Sequence, residues 1–205
     1  TEIYTLSLHD ALPISRIIPQ ETPGLKGELW HKSIFDFYTI EGTEALARFF
    51  KTWEGGRLVI NIADNPIKCP VAPLEFAFFA DAFFTEREMR DKVTISYVTP
   101  LSGAFTKPRS SKLLGSMLEN KNIELVTDFF LSEVDNKTKV IKDFGGREVE
   151  FDCLVSIPLH SGDSLIESSG LGDEFGFVRA DKYTLQSQIK RSEERRVGKE
   201  CRSRW

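Results

Sequence analysis

The chain is poor in the residues that most often carry chemistry. Its 205 residues include three cysteines, three histidines and two methionines. So few cysteines do not make a disulfide framework or a metal site, and the histidines are too few for a metal cluster. No apolar run is long enough to span a bilayer. No repeat of solenoid period and no low-complexity tract breaks the pattern. The formal net charge is −4, so no basic surplus points to nucleic acid. One local absence matters more than these. No glycine lies between Asn61 and Glu75, where a strand runs into a helix and where a glycine-rich loop would let backbone amides approach a pyrophosphate.

The two ends are set apart from the rest. Back-translated, the C-terminal stretch RSEERRVGKECRSRW and the N-terminal stretch TEIYTLSLHDALPIS encode one DNA string read on opposite strands. Residues 1–15 and 191–205 therefore read as translated sequencing adapter and are excluded from fold reasoning. Removing them takes away a positively charged tail, His9 and Cys201, and leaves an acidic insert with Cys69 and Cys153. The insert, 16–190, is long enough for one domain with a sizeable core, and it reads as a piece of a longer chain.

What is present is an alternation of helical and extended patterns. Ala45, Leu46, Phe49, Phe50 and Trp53 recur on one helical face, with Thr43 as N-cap and Gly55-Gly56 as the stop. Arg57 to Ala63, carrying the apolar run Leu58-Val59-Ile60-Asn61-Ile62, reads as a buried strand. Pro73 to Met89 reads as a helix that is apolar almost all round and buried on several sides. Val93 to Val98 is a second strand, Ser111 to Asn120 a short helix, and Ile123 to Val126 a third strand. That order argues an α/β fold with a parallel sheet and crossover helices. Three segments, 129–135, 138–142 and 147–155, then alternate between turns as an antiparallel meander. Cys153 falls in the last of them and reads as a small core residue. Gly176-Phe177-Val178 reads as a last short strand.

Cys69 is the residue with chemical promise. It lies in the loop between the buried strand and the apolar helix, flanked by Pro66, Pro70 and Pro73. That loop stands at the carboxyl end of a strand, where open α/β sheets bind ligands. The positive end of the helix dipole favours a thiolate there, and Lys68 adds charge of the same sign. Glu75, in the helix's first turn, is either a carboxylate that stabilises the helix end or a proton acceptor beside Cys69. An ionised Glu75 works against a Cys69 thiolate, so its carboxyl is expected either turned toward the helix amides or protonated in the apolar surroundings of Phe76 and Phe79. The plainer alternative for Cys69 is a small buried cysteine in a tight turn.

The succession of elements resembles the second dinucleotide domain of the two-dinucleotide-fold FAD/NAD(P)-dependent oxidoreductases, a Rossmann-like domain with an added meander. The resemblance runs from Arg16 to Gln188. It is carried by Arg16-Ile17-Ile18-Pro19 with Pro23-Gly24, by FDCLVSIP at 151–158 and by GFVRADKYTLQS at 176–187. It implies an exit from a truncated FAD domain at 16–40, the Rossmann-like domain at 41–150, and a return into the FAD domain at 151–190. Within that superfamily, Pro66-Ile67-Lys68-Cys69, Ala72-Pro73 and Glu75-Phe76 resemble the sulfide:quinone oxidoreductases. Thr99-Pro100, Arg90-Asp91-Lys92-Val93 and Thr184-Leu185-Gln186 agree with that family.

The resemblance implies a flavoprotein that oxidises sulfide through two redox cysteines and FAD and passes electrons to membrane quinone. Cys69 would be one cysteine of the pair and Glu75 an acidic residue that handles protons. The partner cysteine, the FAD motifs and the C-terminal segment that docks such enzymes peripherally on a membrane would lie outside this chain. Two departures from the family are the stretch Phe35 to Tyr38, which has no cysteine, and Ala104, where some members carry histidine. The glycine-free, proline-rich loop argues from the residues alone against NADH as partner. The alternatives are another flavoenzyme of the superfamily (a type II NADH:quinone oxidoreductase or a persulfide or CoA-disulfide reductase) and a non-catalytic relative whose cysteine is structural or senses redox state.

Deleting residues 1–15 and 191–205 together is expected to leave thermal unfolding of the remainder unchanged. A loss above about 2 kcal/mol, the scale of a substantial core mutation, would mark the ends as native.

Overall fold

The computed structural model describes residues 15–174, 176–184, 186 and 187. The readings made of 1–14 and 191–205 lie outside the described residues. In chain order the strands and helices are β1 (Ser15–Ile17), β2 (Ile34–Phe35), α1 (Ile40–Thr52), β3 (Gly56–Ile62), α2 (Ala72–Glu86), β4 (Val93–Val98), α3 (Pro108–Asn120) and β5 (Ile123–Val126). They continue with β6 (Leu131–Asp135), β7 (Val140–Asp143), β8 (Glu148–Glu150), β9 (Cys153–Ile157), β10 (His160–Gly162) and α4 (Ser164–Ser168). The chain divides into two compact units. Ile17–His160 form the larger. The smaller, among the described residues, combines 15–16 with the segment from Ser161 to Ser187.

The larger unit is built on a five-stranded sheet of order β2-β9-β3-β4-β5. Every neighbouring pair in it is parallel. A parallel sheet is covered on both faces, and its central strands are therefore largely apolar rather than alternating. In β3, Leu58, Ile60 and Ile62 pack with Leu46 and Phe50 of α1, Ala77 and Phe84 of α2 and Leu118 of α3. Val59 packs on the other face with Phe129, Leu131, Val134 and Ile141 of the meander side and with Leu25. The meander is the antiparallel sheet β6-β7-β8.

Several expectations shift in detail, each for a local reason. α1 begins a turn earlier than its apolar stripe suggests. Its cap is Thr39, not Thr43: the Thr39 hydroxyl accepts from Gly42 N–H at 3.0 Å, while the Thr43 hydroxyl bonds back to the Thr39 carbonyl. Gly55 and Gly56 follow after Trp53, the C-cap, and Gly56 opens β3. α2 stops at Glu86 because Glu88 turns left-handed (φ 57°) and Met89 N–H bonds to the Phe84 carbonyl. α3 starts at Pro108 rather than Ser111, using proline's fitness for the first helical position.

The segment 147–155 is not one strand. It divides at Phe151-Asp152 into β8, which closes the meander, and β9, which enters the parallel sheet between β2 and β3. Asp152 makes that break. It accepts the Arg57 backbone N–H at 2.8 Å and, with Glu150, pairs with the Arg57 guanidinium, tying the turn to the start of β3. Cys153 thus belongs to the parallel sheet, on its helix-covered face, and is fully buried.

In the smaller unit Gly176-Phe177-Val178 is a turn, not a strand. Gly176 has φ 74°, and Asp173 accepts from Phe177 N–H while its own N–H bonds to the Phe177 carbonyl. No helix among the described residues is long and apolar enough to cross a membrane.

The edge of the larger unit where β4 starts is held by one buried carboxylate. Asp81, 6% exposed, accepts from Arg90 Nε at 2.7 Å and from Lys121 Nζ at 2.6 Å. Arg90 also donates to the carbonyls of Val93, Lys121 and Asn122, so α2, β4 and α3 meet at one cluster. Burial raises the Asp81 pKa, but the hydrogen bonds and charges of Lys121 and Arg90 outweigh it and hold the carboxyl below its usual range. A carboxyl depressed in the folded state adds stability above its unfolded pKa, and that stability is lost as pH falls through the folded value. Asp81→Ala is expected to cost about 2 kcal/mol in urea unfolding at neutral pH, because both cations lose their partner. The loss should shrink below about pH 4, where the carboxyl of the unfolded chain begins to protonate, and fade as pH falls through the lower folded value. An equal loss at pH 7 and pH 3 would exclude the ion cluster as the cause.

Candidate functional site

The strand order decides which side chains share the carboxyl end of the sheet. β2, β9 and β3 are consecutive neighbours running in the same direction, so the chain leaves all three at the same end. The residues that follow them are Phe37 and Tyr38 after β2, Pro158 to His160 after β9, and the Cys69 loop after β3.

The Cys69 loop runs from Ala63 to Val71. Cys69 is exposed and has φ 57°, a left-handed conformation rare for a residue with a Cβ. Two hydrogen bonds hold its carbonyl: Ala72 N–H donates at 3.1 Å and the Tyr38 hydroxyl at 3.2 Å. The alternative of a small buried cysteine does not describe it. Strained backbone maintained by its surroundings is a common property of functional positions.

The first turn of α2 is closed on itself. Ala72 N–H is taken by Cys69, Pro73 has no N–H, and Leu74 and Glu75 both donate to the Val71 carbonyl. The amides that a dinucleotide loop turns toward a pyrophosphate are thus engaged inside the loop.

Tyr38 is the hub of the site, and sequence reading did not single it out. Its ring stacks on Phe37 at 5.0 Å, and Phe37 stacks on Phe76 of α2 at 4.9 Å. Edge-on, the Tyr38 ring meets His160 at 4.8 Å. Burial first, then the negative charges of Cys69 and Glu75, push the Tyr38 pKa upward, so the phenol stays a donor. Asp36 positions it. The fully buried Asp36 carboxylate accepts from Tyr38 N–H at 2.9 Å, Thr39 N–H at 2.7 Å and the Thr39 hydroxyl at 3.0 Å. Gly42 is required there, since a Cβ would stand 2.2 Å from Asp36 Oδ2.

Glu75 lies near enough to act on Tyr38 but is exposed, and Phe79 beyond it is 72% exposed. The apolar surroundings expected for its carboxyl are absent, because Phe79 faces away from the core. Among the described residues its carboxylate has no hydrogen-bond partner, so it is not turned onto the helix amides either. Cys153 sits apart from this site. Burial, then the Asp152 charge, raise its pKa well above the usual thiol value, so it stays a thiol. Among the described residues no cluster of three metal-ligating side chains forms.

No family model matches the chain. Over 168 residues it is 27% identical to a sulfide:quinone oxidoreductase, mitochondrial, of Dictyostelium discoideum, covering 80% of this chain and 37% of that protein. Its fold superimposes on the sulfide:quinone oxidoreductase of Aquifex aeolicus with a TM-score of 0.62 at 17% identity, covering 78% of this chain and 38% of the other. It also superimposes on a NAD-dependent persulfide reductase from A. fulgidus with a TM-score of 0.59 at 17% identity, covering 82% and 28%. The chain spans well under half the length of these relatives. The fold is the one expected, that of a dinucleotide domain of the two-dinucleotide-fold flavoproteins.

Tyr38→Phe removes one hydrogen bond to the Cys69 carbonyl and keeps the ring contacts. It is expected to cost about 1 kcal/mol of stability and to raise deuterium uptake in the peptide 63–72. Unchanged uptake would show that the loop does not depend on the phenol.

Proposed function

We propose that this chain is the second dinucleotide-domain part of a sulfide:quinone oxidoreductase-like flavoenzyme, with Cys69 as one of its redox cysteines. The observation that carries this reading is the loop after β3, where an exposed cysteine in left-handed backbone replaces a glycine-rich phosphate cradle. Similarity to proteins named sulfide:quinone oxidoreductase, both in sequence and in fold, supports it.

In this reading FAD, held by parts of the complete enzyme other than α2, would supply the two-electron redox chemistry between sulfide and quinone. α2 offers no phosphate cradle for that group, so this chain's part lies with Cys69 and its surroundings. Sulfide attacks the disulfide between Cys69 and its partner cysteine: a new S–S bond forms as a persulfide, the old one breaks and releases a thiolate, so the disulfide is the two-electron oxidant and Cys69 is one of its two sulfurs. Tyr38 and Ala72 fix the loop so that the sulfur stays exposed at the sheet's end. Glu75, exposed one helical turn on, exchanges protons with solvent. The engaged amides of α2 disfavour a bound NADH pyrophosphate at this position. Membrane association of the complete enzyme is peripheral and falls to segments other than those described.

A second reading is a related flavoenzyme driven by a nicotinamide cofactor, favoured by the likeness to the NAD-dependent persulfide reductase. Saturable NADH binding below the millimolar range with NADH-driven flavin reduction would select it.

The test of the first reading is sulfide-dependent quinone reduction by the complete enzyme, normalised to bound FAD. Cys69→Ser should abolish turnover with fold and flavin retained, because a hydroxyl is a poor nucleophile and cannot hold a persulfide sulfur. Cys153→Ser should keep turnover with a modest stability loss. Near-normal turnover in Cys69→Ser would sink the reading, and loss in Cys153→Ser at full flavin occupancy would mean the other cysteine carries the chemistry.

A further inference from the structure

Asp36 is a carboxylate with no exposure, and the groups that bond to it are neutral. Its oxygens accept from the Tyr38 and Thr39 backbone N–H groups and from the Thr39 hydroxyl. Taking a carboxylate out of water is costly unless a cation answers it. One side chain stands within ion-pair range. His31 Nε2 lies 3.5 Å from Asp36 Oδ2, and among the described residues neither His31 nor Asp36 has another ion-pair partner. Nε2 is itself buried and makes no hydrogen bond. Two buried polar groups thus face each other just beyond the ordinary hydrogen-bond distance, and buried polar atoms are almost always satisfied.

The imidazole is held in place from its own side. His31 has φ 58°, its N–H donates to the Ile34 carbonyl at 2.7 Å, and its ring stacks on Trp30 at 4.9 Å. From Asp36 the contacts run on in two directions. Oδ2, the oxygen that faces His31, also accepts from the Thr39 hydroxyl, and that hydroxyl caps α1. Oδ1 accepts from Tyr38 N–H, and the Tyr38 hydroxyl donates to the Cys69 carbonyl. Each step from His31 to the Cys69 loop is a measured contact.

We propose that His31 is a positioning residue: its protonated imidazole is the cation of buried Asp36, and the pair fixes the turn 36–39 and, through Tyr38, the Cys69 loop. A neutral imidazole carries one hydrogen and no charge, whereas the protonated ring donates from both nitrogens. Gaining the proton turns the 3.5 Å contact into a charge-assisted hydrogen bond, and losing it leaves the carboxylate with neutral donors alone. The corner is therefore tighter on the acid side of the imidazole titration. The other charged groups near His31 and at the start of α1, namely Lys32, Glu41 and Glu44, are exposed. On the Tyr38 side stand His160, Lys68, Cys69 and Glu75. Burial first, then the Lys68 charge, lower the His160 pKa against the Pro158 hydrogen bond, so that ring is neutral at neutral pH, and Tyr38 stays un-ionised. The inference concerns the order of the loop and does not rest on the sulfide reading of Cys69.

The test is hydrogen–deuterium exchange of the whole chain, followed by mass spectrometry in the peptides 36–43 and 63–72 between about pH 5 and pH 8, the range in which histidine changes charge. Rates are corrected for the intrinsic pH dependence of exchange. In the parent, protection of both peptides should be about tenfold greater at the acid end, the scale of one hydrogen bond to a charged group. His31→Gln keeps an amide donor without a charge, and His31→Asn suits the left-handed backbone but withdraws the ring. Both variants should lose the pH dependence and exchange like the parent at the alkaline end. Unchanged protection of β4 and β5 in the same digest reports that each variant is folded. Flat protection in the parent, or the same pH dependence in both variants, would overturn the proposal. Should the variants unfold, carbon-13 NMR of the parent decides the matter. The Asp36 carboxyl resonance should move with the same midpoint as the His31 ring, and a carboxyl that stays still while the ring titrates would overturn the proposal equally.

Discussion

The placement of β9 between β2 and β3 is the constraint on which the site depends. β9 comes last of the three in the chain, after the whole meander, yet it pairs in parallel with both of the others. Its side chains show why the position is strongly preferred. Cys153, Val155 and Ile157 enter the helix-covered core and Leu154 enters the meander-side core, all without exposure. A strand apolar on both faces has no stable place at a sheet edge and belongs in the middle of a covered parallel sheet. Inserting it there carries His160 to the end of the sheet where Tyr38 and Cys69 already emerge.

The loop after β3 shows how a dinucleotide fold can present an exposed thiol where a phosphate cradle would stand, without changing its architecture. The strand, the crossover helix and the end of the sheet are retained. Three prolines and the internal bonding of the first α2 turn remove the donors that a phosphate would need. The Cys69 carbonyl takes the Ala72 amide, so the left-handed conformation that exposes the sulfur and the closure of the helix end are one interaction. Aromatic stacking from Tyr38 through Phe37 to Phe76 then fastens this loop to the β2 side. The rigid part is the backbone, and the sulfur is left accessible.

Much of this was legible beforehand because it is local. β4 and β5 fall where the apolar runs place them, and α2 begins beside Pro73 as its proline requires. The misreadings were also local in origin. Thr43 has the chemistry of a cap, but Thr39 wins because the buried Asp36 fixes the turn in front of it. The segment 147–155 reads as one strand because its alternation continues across Asp152, and only the pairing of Asp152 with Arg57, 95 residues away, breaks it.

By itself the sequence determined the α/β class, the positions of most helices and strands, the lack of a glycine-rich loop and the candidacy of Cys69. Each of these rests on periodicity, on proline and glycine stereochemistry, or on composition within a short window. The tertiary structure alone decided that Cys153 is buried in the parallel sheet while Cys69 is exposed, that Glu75 faces solvent, and that Tyr38 and His160 stand at the Cys69 loop. Those facts follow from which strands pair. That pairing is chosen by burying both faces of β9 at once, a non-local packing demand that no short stretch of residues encodes.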